Sequence, residues 1–138
     1  MEAARKILIE QGCTCVLRKD ETVHTATERG VKPLVRWLTE GLDAKGFCAA
    51  DKVVGKATAY LYVLLGVKAV YAQIMSRSAR EVLERHGITA AQDELVSHII
   101  NRAGTGICPF EEAVLDIHTP EEALTAIRAK MEQMHITL

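Results

Sequence analysis

The chain opens with apolar positions at helical spacing: Ala4, Ile7 and Leu8 share a face with Gln11, and Gly12 follows as a stop, which predicts a short helix over 2–11. Two β-prone runs come next, 13–18 and 21–27, separated by Lys19 and Asp20, and this spacing predicts a hairpin. Pro33 opens a second helix over 32–40, in which Leu34, Trp37 and Leu38 lie on one side before Gly41. Residues 41–50 read as a loop. Asp51 is a candidate N-cap for a helix over 52–65, whose Val53, Ala57, Tyr60, Leu61 and Leu64 form one stripe with Val54 and Val63 beyond it. That helix is expected to be mostly buried and to end at Gly66.

Val67 to Met75 is β-branched and apolar enough for a central strand. Ser76 then caps a helix running to His86, with Ala79, Val82 and Leu83 inward, Arg80/Glu84 and Glu81/Arg85 paired one turn apart, and Gly87 just past its end. Leu95 to Asn101 reads as another strand, followed by the glycine-containing stretch Arg102-Ala103-Gly104-Thr105-Gly106. Cys108-Pro109-Phe110-Glu111 has the form of a helix start, and Thr119-Pro120-Glu121-Glu122 is a capping box opening a last helix over 120–134. Alternating helices and strands argue an α/β sandwich around a mixed sheet, formed as one domain over 1–138.

Composition narrows the function classes. With 17 Lys+Arg against 18 Asp+Glu in 138 residues, 49% hydrophobic and 25% charged, the chain is not a disordered one. It has no basic cluster of the kind that phosphate-driven affinity requires, so no nucleic-acid polymer is expected as a partner. The most apolar stretch, Val53 to Val70, carries Lys56 and Lys68 together with Gly55 and Gly66, which excludes a membrane span. Met1-Glu2-Ala3-Ala4-Arg5-Lys6 lacks the layout of a signal peptide, so a cytoplasmic location is the expectation. In that setting Cys13, Cys15, Cys48 and Cys108 are expected to be free thiols, with Cys13 and Cys15 on one face of a strand as packing residues.

Three separated segments carry a resemblance: Asp51-Lys52-Val53-Val54-Gly55-Lys56-Ala57-Thr58-Ala59, Met75-Ser76 with Ala79, and Asn101-Arg102 through Cys108-Pro109-Phe110-Glu111. Together they resemble an uncharacterised bacterial branch of the cytidine deaminase-like superfamily that lacks the zinc site. The resemblance covers nearly the whole chain and implies a three-layer α-β-α sandwich with a mixed sheet. In the zinc enzymes of that superfamily, a His or Cys just before a catalytic Glu opens the buried helix, and Pro-Cys-x-x-Cys opens the next. Here those places are taken by Val54-Gly55-Lys56-Ala57 and by Ile74-Met75-Ser76-Arg77-Ser78-Ala79, without a thiol or imidazole. Zinc-dependent deamination is therefore expected to be absent, and no metal or cofactor is expected.

The same resemblance puts two helix N-termini at one end of the sheet, where backbone N–H groups favour an anion. Asp51, Gly55 and Lys56 would stand at one start and Ser76 at the other, with Asn101 and Arg102 nearby, so the leading expectation is a small nucleotide-like or anionic ligand in the former active-site pocket. Bland roles compete with this one: Lys56 as a solvated lysine, and Gly55 as a close-packing glycine within the buried helix. A second reading is a metal-independent enzyme, in which Cys108 at a helix N-terminus acts as a nucleophile with Asp51, Lys56 or Glu111. Against it stands a small buried Cys108 beside a capping Glu111. A third is an interaction module, since the resemblance implies a homo-oligomer.

Overall fold

The computed structural model describes residues 1–100, 104 and 106–138. It is an α/β fold in which a mixed five-stranded sheet is joined by six helices among the described residues. The chain begins with helix α1 (Glu2–Gln11), which ends at Gly12 in the left-handed conformation, φ 64°. A hairpin follows, of strands β1 (Cys15–Lys19) and β2 (Thr22–Ala26), and then α2 (Lys32–Thr39). Next come β3 (Cys48–Val54), α3 (Lys56–Leu65), β4 (Ala69–Ser76), α4 (Arg77–Arg85) and β5 (Thr89–Val96). The short α5 (Pro109–Ala113) and α6 (Pro120–Gln133) complete it. Across the sheet the order is β2-β1-β3-β4-β5, antiparallel between β2, β1 and β3 and parallel from β3 through β5.

Sheet alternation divides the core. Val16, Ala50 and Tyr71, partners across β1, β3 and β4, meet Ala4 and Leu8 of α1 on one face. On the other face Cys15, Leu17, Ala49 and Val70 join residues of α2, α3, α4, α5 and α6 in the larger cluster. Small residues in the centre of β3 let helices approach from both sides. Cys13 lies ahead of β1 and packs into the α1 cluster, whereas Cys15 belongs to the larger one, so the two thiols do not share a strand face.

Two expectations about the elements are corrected. The segment expected to be a loop leading to a helix start at Asp51 is the central strand β3, and α3 begins only at Lys56 with Gly55 as its N-cap residue. The reason is burial on both faces. Ala49, Ala50 and Asp51 show neither the period of two of a half-exposed strand nor a β-branched run, and the Val53 and Val54 that follow fall on the helical stripe. The strand expected over 95–101 lies earlier, as β5. It is an edge strand whose Gln92, Asp93 and Glu94 are partly or wholly exposed, so polarity hid it. Ile99 and Ile100 follow that strand, and Ile100 makes only an isolated bridge with Ile107.

Elsewhere local chemistry holds. Ser76 ends β4 and accepts a hydrogen bond from Ala79 N at 3.1 Å to cap α4, and Thr119 accepts one from Glu122 N at 3.3 Å to cap α6. Arg80 and Glu84 pair at 2.6 Å, and Arg85 and Glu81 at 3.8 Å.

Candidate functional site

Where β3 gives way to α3, the chain borders a cleft of about 370 Å³. Asp51, Gly55, Cys108 and Glu111 all line it, so four of the residues singled out from the sequence converge there. Its walls include Val31, Val53, Ile99 and Phe110, and Arg29 and Lys52 reach it from solvent-exposed positions.

Glu111 takes the place that an anion was expected to take. Its Oε1 accepts a hydrogen bond from Lys56 N at 2.6 Å and its Oε2 one from Ala57 N at 3.3 Å, so a carboxylate from α5 caps the N-terminus of α3 across 55 residues of sequence. Burial raises the pKa of Glu111, and the two amides pull against that rise. Gly55 makes the contact possible. Its φ of −99° is open to any residue, but a Cβ there would coincide with Glu111 Oε1, stand 2.5 Å from its Cδ and 3.0 Å from Ile99 Cγ1. Gly55 is therefore the close-approach glycine, positioned before the helix rather than inside it as expected.

Asp51 is the second buried acid. Only 8% exposed, it is no N-cap: its Oδ2 accepts the Tyr62 hydroxyl at 2.6 Å and its Oδ1 the amide of Val53 at 3.3 Å. The Tyr62 oxygen also lies 3.1 Å from Cys15 Sγ, forming a short polar chain between β1, α3 and β3. Burial pushes the Asp51 carboxyl up to about 7, despite the stabilising hydrogen bonds from Tyr62 and Val53. Burial beside Asp51 also drives Tyr62 and Cys15 well above their ordinary values, which keeps both neutral.

The remaining candidates lie apart. Lys56 Nζ donates to Leu115 O at 3.1 Å and sits 6.0 Å from the Tyr60 ring centre, so its charge is directed toward the turn after α5 rather than into the cleft. Ser76 is 1% exposed and occupied in capping α4. Asn101 and Arg102 lie outside the described residues. Cys108 is half-buried at the N-cap of α5, and Glu111, the proposed acid or base for it, is directed at α3. Among the described residues no three His, Cys, Asp or Glu side chains converge as a set of metal ligands.

A protein family described as TM1506, domain of unknown function (DUF1893), matches residues 3–131. The chain belongs to the DUF1893 family. A crystal structure of a DUF1893 family protein (TM1506) from Thermotoga maritima is similar over 94% of this chain and 88% of that one, at 25% sequence identity and a TM-score of 0.85. No curated protein matches the sequence. Among the described residues of this DUF1893 domain no helix is long and apolar enough to cross a membrane.

The sequence reading gave Cys15 a packing role and assigned none at the site to Tyr62 or to the exposed Arg29 and Lys52. Two signals were present in the chain. Asp51 is a lone carboxyl between Ala49-Ala50 and Val53-Val54, and Tyr62 carries a hydroxyl in a helix that is mostly apolar; buried polar groups of this kind require partners. Which partner each finds depends on sheet register and was not legible.

Proposed function

We propose that this DUF1893 domain is a cytidine deaminase-like, three-layer α-β-α protein that binds a small molecule in the cleft beside α3 without zinc chemistry. One observation carries the reading: a concavity of about 370 Å³, within the size range of small-molecule sites, has two buried carboxyls, Asp51 and Glu111, set in partly apolar walls. Buried acids in a cleft are concentrated at functional sites because ionisation there is tuned by surroundings. The alternation of helices and strands over residues 2–133 and the parallel β3-β4-β5 portion support the fold assignment.

The contacts of Glu111 favour a different manner of binding from the one expected. Glu111 already engages the α3 amides, so the anion-first pose through Gly55 and Lys56 loses its donors, and the ligand instead meets Asp51 and the outer face of Glu111. The experiment is a thermal-shift panel of nucleosides, nucleotides, nucleobases, amino acids and phosphates on the wild type and on Val53→Trp. Val53 lines the cleft and is 40% exposed, so the larger ring fills the space without entering the core. A ligand that binds only the folded state at a hundred times its Kd stabilises by about 2.7 kcal/mol. A saturable rise in Tm that disappears in Val53→Trp is the expected result. No rise with any compound, or an equal rise in the variant, would overturn the proposal.

A further inference from the structure

We infer that the cleft is polarised, and that its ligand is a zwitterion or similarly bipolar molecule: a cationic or hydrogen-bond-donating head lies inward at Asp51 and Glu111, and an anionic group lies outward at Arg29 and Lys52. This inference rests on the cleft being a ligand site and adds the ligand's chemistry and direction. The inner end is rich in acceptors. Asp51 Oδ2 receives Tyr62 and Oδ1 receives Val53 N, while the Glu111 oxygens receive one amide each. A carboxylate oxygen has two lone pairs, so Glu111 keeps acceptor capacity beyond its two amides, while Asp51, which the Lys52 amide and the Cys15 thiol also approach, contributes mainly its charge. Lys56, whose backbone amide binds Glu111, sends its ammonium to Leu115 O instead. A ligand amine, amidine or amino-heterocycle edge is the complement to such a surface, and an inward phosphate or carboxylate would be repelled.

The outer end has the opposite sign. Arg29 and Lys52 both line the cleft from exposed positions, and Glu28, the acid next to Arg29, is paired with Lys32 at 3.4 Å and with Arg36. Val31, Val53, Ile99 and Phe110 line the same cleft and suit an apolar or flat body. Above about pH 7, where Asp51 is ionised, charge thus runs from negative at the buried acids to positive at the exposed cations of one concavity, and a bipolar ligand is oriented by it before any specific contact forms.

Three probes of one shape test this: 4-amidinobenzoate, benzamidine and benzoate, titrated at about pH 8, above the raised Asp51 carboxyl, into ¹⁵N-labelled protein with the Val53, Lys56 and Ala57 amides as reporters. The expected order is 4-amidinobenzoate, then benzamidine, with benzoate weakest, and about tenfold between benzamidine and benzoate, the size of one charge-assisted contact. Arg29→Ala with Lys52→Ala, both exposed, should bring 4-amidinobenzoate down to the affinity of benzamidine and leave benzamidine unchanged. Asp51→Asn should weaken benzamidine about tenfold, and the surface double variant carries the test even where the Asn variant folds poorly. Benzoate binding as tightly as benzamidine at these amides would overturn the polarity while leaving a ligand site in place. An unchanged preference for 4-amidinobenzoate in the surface variant would do the same. No perturbation of the three amides by any probe would overturn the polarity, and only the separate Val53→Trp panel decides the site itself.

Discussion

The two helices that follow the parallel strands β3 and β4 begin in different ways, and the contrast explains where the cleft comes from. α4 is capped by its own neighbour: Ser76 closes β4 and bonds to Ala79 N three residues on. α3 is preceded by Gly55, which has no side chain to offer, and takes its cap from Glu111 of α5. A local cap completes a helix within one turn and needs no other segment. A remote cap makes the helix start depend on the docking of another segment, here also tied down by Lys56 Nζ on Leu115 O and by Tyr60 donating to Ile117 O at 3.0 Å. The gap between that segment and β3 is the cleft, and Asp51 lies on its other side.

The largest expected effect sharpens the contrast through pH. Folding raises the Asp51 pKa from an ordinary 3.8 to about 7, so between those values the folded state holds a proton the unfolded chain has released. The stability associated with neutral Asp51 is therefore full below about pH 4 and is lost as pH rises toward 7, at up to about 1.4 kcal/mol per unit. Asp51→Asn removes this loss, and denaturant unfolding from pH 4 to 8 should show the variant gaining on wild type across the window. A constant difference between the two would refute the shift.

Next in size is Gly55→Ala, which must expel Glu111 from the α3 amides and should cost about 3 kcal/mol, a steric loss added to two orphaned donors. The same change made on a Glu111→Ala background should cost much less, because the obstructing carboxyl is gone; equal costs in the two backgrounds would break the account of Gly55 as the glycine that admits Glu111. Glu111→Ala alone should cost about 2 kcal/mol, as expected for two amides left without an acceptor, and amide exchange at Lys56 and Ala57 should speed up with it. Smallest is Ser76→Ala, about 1 kcal/mol, with faster exchange confined to the first turn of α4. Exchange spreading to the cleft in that variant would erase the distinction between the two helix starts.

Legibility followed the same division. The hairpin, α2, α4 with its cap, and α6 with Thr119 were readable because each is set by residues within a few positions of one another. β3 was not, since a strand paired on both edges and covered on both faces needs only small or apolar residues and shows no period. β5 escaped for the opposite reason, an edge strand with its charge showing. At the site, Asp51, Gly55, Cys108 and Glu111 were nominated and lie along one cleft, but the roles expected for Asp51 and Gly55 were local ones that the structure replaces.

Local chemistry in this chain was enough to establish an alternating α/β order, the caps at Ser76 and Thr119, and an unusual glycine at 55 beside a lone acid at 51. Three-dimensional packing assigned Glu111 to α3, Tyr62 to Asp51, Lys56 away from the cleft and the strands to their register. The physical reason is range. Capping, turn formation and helical periodicity act over about four residues, whereas the cap on α3 spans 55 residues and the Asp51–Tyr62 bond joins a strand to a helix, contacts that exist only once the sheet has chosen its register.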